Sequence, residues 1–145
     1  MTLGNLLPDG RDHQTYTLIG AAMEVHRILG TGFLERVYQE ALAVELERVG
    51  VPFDREARFP VVYKGVTLGR VYRPDFVCYT GIVVELKAQR VLGALDQGQL
   101  INYLRVSGLR LGLLLNFGGL RLEYQRVVSS CPKPTPLQGE ETGRR

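Results

Sequence analysis

Arg73-Pro74-Asp75-Phe76-Val77-Cys78-Tyr79-Thr80-Gly81-Ile82-Val83-Val84-Glu85-Leu86-Lys87-Ala88 is the stretch on which the reading of this chain turns. Two apolar runs flank residues with turn chemistry, a pattern that predicts an antiparallel β-hairpin. Asp75, Glu85 and Lys87 are out of place in it, because desolvating an ionised carboxylate is costly unless something compensates the charge. Side chains alternate along a strand, so Glu85 and Lys87 share one face while Ile82, Val84 and Leu86 take the other. The turn then decides where Asp75 points. A two-residue loop at Thr80-Gly81 pairs Asp75 with Leu86 and sends the two acids to opposite faces. A three-residue loop that includes Tyr79, or a bulge, sets Asp75 against Glu85, and Pro74 is compatible with a bulge or a locally unpaired strand.

Two convergent carboxylates beside a lysine suit one chemistry in particular. The carboxylates hold Mg²⁺ or Mn²⁺ through oxygen and leave sites for water and a phosphate oxygen, so that a phosphodiester is hydrolysed by metal-activated water. Lys87 orients the water or steadies the phosphate. The competing reading is a buried ion pair between Lys87 and one acid, which leaves the other acid uncompensated. The order Pro74-Asp75, spacer, Glu85-Leu86-Lys87 matches the PD-(D/E)XK nuclease signature.

The 145 residues predict one domain, and 45% hydrophobic with 23% charged residues is the composition of an ordinary globular protein. A net charge of +3 permits a nucleic-acid partner without requiring one. Arginines outnumber lysines fifteen to three, which suits bidentate phosphate contacts. Cys78 and Cys131 are too few for a disulfide framework or a zinc or iron–sulfur site, so a reducing cytoplasm is expected. The first residues lack the pattern of a signal peptide, no apolar run is long enough to span a membrane, and no membrane association is expected.

Helical periodicity predicts helices over 13–29 and 33–49, stopped by Gly30-Thr31-Gly32 and Gly50, and a third over 94–106 stopped by Ser107-Gly108. Strands are expected near 53–62, 66–79, 82–88, 109–117 and 120–128, with turns at Lys64-Gly65 and Gly118-Gly119. The order ααβββαββ predicts an α/β (α+β) domain over 13–130, one mixed central sheet with helices against it. Residues 1–12 read as a mobile lead and 131–145, with Pro132, Pro134 and Pro136, as a disordered tail.

Gly32-Phe33-Leu34-Glu35-Arg36-Val37-Tyr38 spells G-x-x-E-x-x-Y, preceded by Glu24-Val25-His26-Arg27-Ile28-Leu29-Gly30-Thr31. Together with Tyr72-Arg73-Pro74-Asp75, Val84-Glu85-Leu86-Lys87 and Gln99-Leu100-Ile101-Asn102-Tyr103-Leu104, it closely resembles the GxxExxY protein family of the PD-(D/E)XK superfamily, from about Tyr16 to Val128. Gln99 and Tyr103 also resemble the Q-x-x-x-Y of the RecB-like branch, and at i, i+4 they lie on one helical face. The resemblance implies a restriction-endonuclease-like core, αβββαβ, with one extra N-terminal helix. It implies Asp75, Glu85, Lys87 and Glu35 as catalytic residues, with Asp75, Glu85, the Leu86 carbonyl and Glu35 around the metal. Gln99, Tyr103, Tyr38 and Arg73 would shape the site or contact substrate, and His26 is a second candidate for the first motif.

Plainer roles compete with these. Glu35 suits a helix start through the macrodipole, and Asp96 does so in the third helix. His26, Tyr38 and Tyr103 suit packing, and Gln99, Arg73 and Arg90 suit solvated positions. The implied activity is a metal-dependent nuclease acting on nucleic acid, with DNA as the expected substrate, as a homodimer or with a partner protein. The alternative is a non-catalytic nucleic-acid- or protein-binding module on the same scaffold.

Overall fold

The computed structural model describes residues 12–130. The expected lead and tail lie outside these residues except for Asp12, which opens the first helix. Helix α1 (His13–Leu29) is capped by Asp12, whose carboxylate accepts from the Thr15 amide at 2.6 Å and the Thr15 hydroxyl at 2.8 Å. Arg126 closes on the same carboxylate at 3.1 Å and ties this helix start to the last strand. Leu18, Ala21, Ala22 and Val25 form the buried stripe of α1. Gly30 ends the helix with φ 71°, and the chain turns into α2 (Glu35–Arg48), which buries Tyr38, Leu42 and Leu46.

The strands are β1 (Phe53–Asp54), β2 (Phe59–Tyr63), β3 (Val66–Tyr72), β4 (Phe76–Cys78) and β5 (Ile82–Lys87), followed by helix α3 (Ala94–Ser107), β6 (Leu111–Asn116) and β7 (Glu123–Val128). Five of them form a mixed sheet in the order β1-β4-β5-β6-β7, with β5 in the centre. Strands β5 and β6 run parallel, joined through α3 as a crossover requires, and the other pairs are antiparallel. Ile82, Val84, Leu86, Leu113 and Leu115 face α1 and α2, while Val83, Leu114 and Val127 face α3. No helix among the described residues is long and apolar enough to cross a membrane.

The expected α/β architecture is present, with two departures. The run 53–62 divides into β1 and β2, and the run 66–79 divides into β3 and β4 at Arg73-Pro74-Asp75. Pro74 has no N–H for a ladder, so the chain leaves one sheet there and enters another. Strands β2 and β3 pair only with each other, as a hairpin lying against α3 through Phe59, Tyr72 and Tyr103. The expected single sheet is thus a five-stranded sheet with a separate two-stranded arm.

The β4–β5 turn takes the three-residue form. Phe76 pairs with Val84, Val77 with Val83 and Cys78 with Ile82, leaving Tyr79, Thr80 and Gly81 in the loop. Tyr79 and Thr80 adopt left-handed φ of 55° and 58°, and the Gly81 amide closes the turn on the Cys78 carbonyl at 3.0 Å. Cys78 itself is fully buried, and burial pushes its thiol up to about 12.

Candidate active site

Continued by one residue, the β4–β5 register sets Asp75 opposite Glu85. Asp75 has left the ladder there, and its side chain takes the place of the missing strand: Oδ2 accepts from the Leu86 amide at 2.8 Å. N–H and C=O of one extended residue point to the same side, so the Leu86 carbonyl also faces Asp75. On Oδ1, the side-chain amide of Gln39 in α2 donates at 2.7 Å. Asp75 therefore sits at the end of β4, held by α2 and by β5.

Glu85 lies on the α3 face of β5, as strand alternation predicts. The Tyr72 hydroxyl, at the end of β3, donates a short hydrogen bond to its Oε2. Burial drives the Glu85 carboxyl up to about 8; the Tyr72 hydrogen bond and the Lys87 charge oppose the rise, and neighbouring Asp75, within hydrogen-bonding reach, adds to it. Burial and the Glu85 charge together push the Tyr72 phenol far above its ordinary value, so it acts as a donor only. Tyr72 in turn stacks on Tyr103 of α3, ring centroids 3.9 Å apart.

Lys87 does not pair with either acid. Its ammonium donates to Gln99 Oε1 at 3.4 Å and lies 3.9 Å from Asp96 Oδ1, so α3 holds it beside the acids. Asp96 also serves the helix start, accepting from the Gly93 amide at 2.9 Å. Glu85, Lys87, Gln99, Tyr103, Tyr72 and Arg73 are all on the wall of one open cleft of about 770 Å³ between α3 and the hairpin. Glu35, at the first turn of α2, is exposed; partial desolvation and the Asp75 charge raise its carboxyl, and Lys87 opposes them. Among the described residues, no three His, Cys, Asp or Glu side chains converge closely enough to hold a metal by themselves.

Two of the anticipated residues are placed elsewhere. Tyr38 is fully buried, stacked on Phe117 at 4.7 Å, and its hydroxyl donates to the Gly30 carbonyl at 2.6 Å and accepts from the Phe33 amide. It closes the α1–α2 loop and does not line the cleft, because both functions of its hydroxyl are taken by backbone. His26 Nε2 donates to the Gly119 carbonyl at 3.0 Å and braces the β6–β7 turn, where Thr31 also bonds Gly118.

Three contributors escaped the sequence reading. Gln39 lies four residues after Glu35, so it shares that helix face, and this spacing was a usable signal. Tyr72 follows from the alternation of β3 only once the hairpin is known to bend onto β5. Asn116, fully buried after the run Leu113-Leu114-Leu115, has every polar atom satisfied: Oδ1 accepts from the amides of Gln89 and Gly118, and Nδ2 donates to the Gln89 carbonyl and to Glu123. It locks the chain leaving Lys87 to the end of β6. A lone amide closing an apolar strand was its only sequence signal.

The donor set fits a hard divalent cation. Two carboxylates and a main-chain carbonyl supply oxygen alone, and such a cation retains waters for its remaining positions. A bound cation would also offset the burial and the Asp75 charge that raise Glu85.

The sequence profile of the PD-(D/E)XK nuclease superfamily matches residues 12–127. No curated protein matches the chain. Among solved structures, the crystal structure of SSO0001 aligns over 90% of this chain and 83% of that one, at 17% identity and a TM-score of 0.40.

Proposed function

Because the chain belongs to the PD-(D/E)XK nuclease superfamily, we propose that it is a Mg²⁺- or Mn²⁺-dependent nuclease that hydrolyses phosphodiester bonds, with DNA as its substrate. The observation that carries this reading is the convergence of Asp75 and Glu85 at the end of β4, with the Leu86 main chain between them and Lys87 alongside. Within the superfamily, Gly32-Phe33-Leu34-Glu35-Arg36-Val37-Tyr38 and the Gln99/Tyr103 pair support a place with the GxxExxY proteins near the RecB-like branch. It would work in a reducing cytoplasm, as a homodimer or with a partner protein.

When bound, the cation lowers the pKa of a coordinated water and offsets charge developing on the phosphate. Asp75, Glu85 and the Leu86 carbonyl would hold it. Gln39 fixes the Asp75 rotamer, and the Tyr72 hydroxyl fixes Glu85. Lys87, steadied by Gln99 and Asp96, presents its ammonium to the attacking water and the scissile phosphate. Glu35 approaches from α2 and acts through water, while Arg73 meets the phosphate backbone at the rim of the cleft.

Purified protein incubated with DNA and RNA, with Mg²⁺, Mn²⁺ or EDTA, tests the reading. Cleavage requires metal and is lost in Asp75→Ala and Lys87→Ala; cleavage that survives both removes the catalytic assignment. Calorimetric Mn²⁺ titration of Glu35→Gln shows weakened binding if Glu35 contributes to the site, and unchanged binding if it only starts the helix. A second reading, a non-catalytic binding module on this scaffold, draws on the missing third close acid among the described residues. Nucleic-acid binding without cleavage in any metal would establish it.

A further inference from the structure

Of the segment 57–73 that carries the β2–β3 hairpin, the chemistry above uses Tyr72 and Arg73 alone. It forms a sheet of its own, and six of the seven residues of β3 are exposed, so it stands as an arm over the cleft. Its sequence is one-sided in charge. The seventeen residues 57–73 hold Arg58, Lys64, Arg70 and Arg73 and not one Asp or Glu. Among the described residues none of these four cations forms an ion pair, although Glu24, Glu45, Asp96 and Asp12 elsewhere each have one.

Their placement is directional. Arg70 and Arg73 stand on the hairpin wall of the cleft, across from Lys87 and Gln99. Arg73 also borders a second recess that it shares with Arg55 and Arg58. A basic track therefore runs from the acid pair, past Arg70 and Arg73, to Arg58, at a recess that Glu56 also lines and where Arg55 is held by the Gln39 side chain. Unpaired guanidinium groups in file match a polyanion of regularly spaced phosphates, to which arginine binds through two parallel N–H donors. The exposed apolar side chains Val62, Val66, Leu68 and Val71 on the same arm offer contact to sugars and bases.

We infer that the β2–β3 hairpin is a clamp that grips the sugar–phosphate backbone of a nucleic-acid strand through Arg70, Arg73 and Arg58 and delivers it to Asp75 and Glu85. The inference rests on the nuclease reading for what happens to the strand after it is held. The clamp itself is a matter of binding alone. The strand lies between the arm and α3, which the Phe59–Tyr72–Tyr103 stack joins.

Fluorescence anisotropy with a labelled oligonucleotide, single-stranded and as a duplex, over a potassium chloride series tests the clamp without needing cleavage. The measurement uses the Asp75→Asn protein so that the probe survives. Each lost phosphate contact lowers the salt slope by about 0.7–0.9, so Arg70→Gln/Arg73→Gln is expected to flatten it by about 1.5 and to weaken binding roughly tenfold or more. Arg48→Gln/Arg110→Gln removes the same charge away from the arm and is expected to leave the slope unchanged. Thermal melts of both double variants establish that they are folded.

Equal slopes for the two double variants, or no binding by the Asp75→Asn parent, overturn the clamp. If binding depends on the arm but wild-type protein cleaves nothing in any metal, the clamp stands and the catalytic reading fails. If cleavage requires metal and Asp75 but binding ignores the arm, the nuclease reading stands and the clamp fails.

Discussion

In the folded chain Glu85 holds its proton until about pH 8, whereas the unfolded chain releases it at the ordinary carboxylate value. Between those two values the native state binds more protons than the unfolded state, so the contribution of Glu85 to stability falls as pH rises. Calorimetry on Glu85→Gln, which keeps an oxygen for the Tyr72 hydroxyl, is expected to show a higher melting temperature than the metal-free parent at pH 8. The difference shrinks toward pH 5, and Mn²⁺ stabilises the parent but not the variant. A parent and variant with the same pH dependence would mean that Glu85 is not the strained group. Tyr72→Phe keeps the stack on Tyr103 and removes only the donor to Glu85. Positioning partners of metal ligands typically contribute about 10- to 100-fold in affinity, so Mn²⁺ titration of this variant is expected to show a loss in that range. Unchanged affinity would reduce Tyr72 to a packing residue. At this scale Asp75, Glu85 and Lys87 were legible because ionisable groups in an apolar hairpin demand an explanation from sequence alone. Gln39 and Tyr72 were not, since each acquires its role from a partner brought to it by tertiary folding.

Among the elements, the helices follow their sequence signals within a residue or two, because capping and periodicity are local causes: Asp12 caps α1 through Thr15, and glycines end α1 and α3. The β4–β5 register was legible as a choice between turns, and left-handed Tyr79 and Thr80 decide it for the three-residue form. The break at 55–58 was not legible, and at 73–75 Pro74 marked an interruption without showing that it parts two sheets, because what holds β2 and β3 apart from the main sheet is the stacking of Phe59 and Tyr72 against α3. The junction after β6 depends on contact just as close. A Cβ on Gly118 would meet the Gln89 carbonyl oxygen at 2.3 Å and its amide nitrogen at 2.4 Å, both rigid backbone. Overpacking of this kind costs about 1–3 kcal/mol, so Gly118→Ala is expected to lose that much in denaturant unfolding and to displace the segment that follows Lys87. A loss of activity exceeding the loss of stability would show that the junction also aligns Lys87; a neutral variant would show that the segment can yield.

For the molecule as a whole, the sequence disclosed the α/β class and a mildly positive charge of +3. It did not disclose how that charge is distributed, because the separation of an acid-floored cleft from a wholly basic arm arises only when residues 57–73 fold away from the main sheet. The two faces of the sheet also divide the labour. Helices α1 and α2 bury the larger apolar cluster, and α3 shares its face with Glu85 and Lys87. One feature of that sheet makes the coherence of the molecule measurable. Cys78 lies fully buried on β4, flanked by β1 and β5, and its thiol stays protonated to about 12. In a Cys131→Ser protein it is the sole nucleophilic sulfur, inert to an aromatic disulfide reagent until neighbouring strands part. The pace of its colour-forming reaction, followed as urea is added, thus reports how often the centre of the sheet opens, without any label having to be installed.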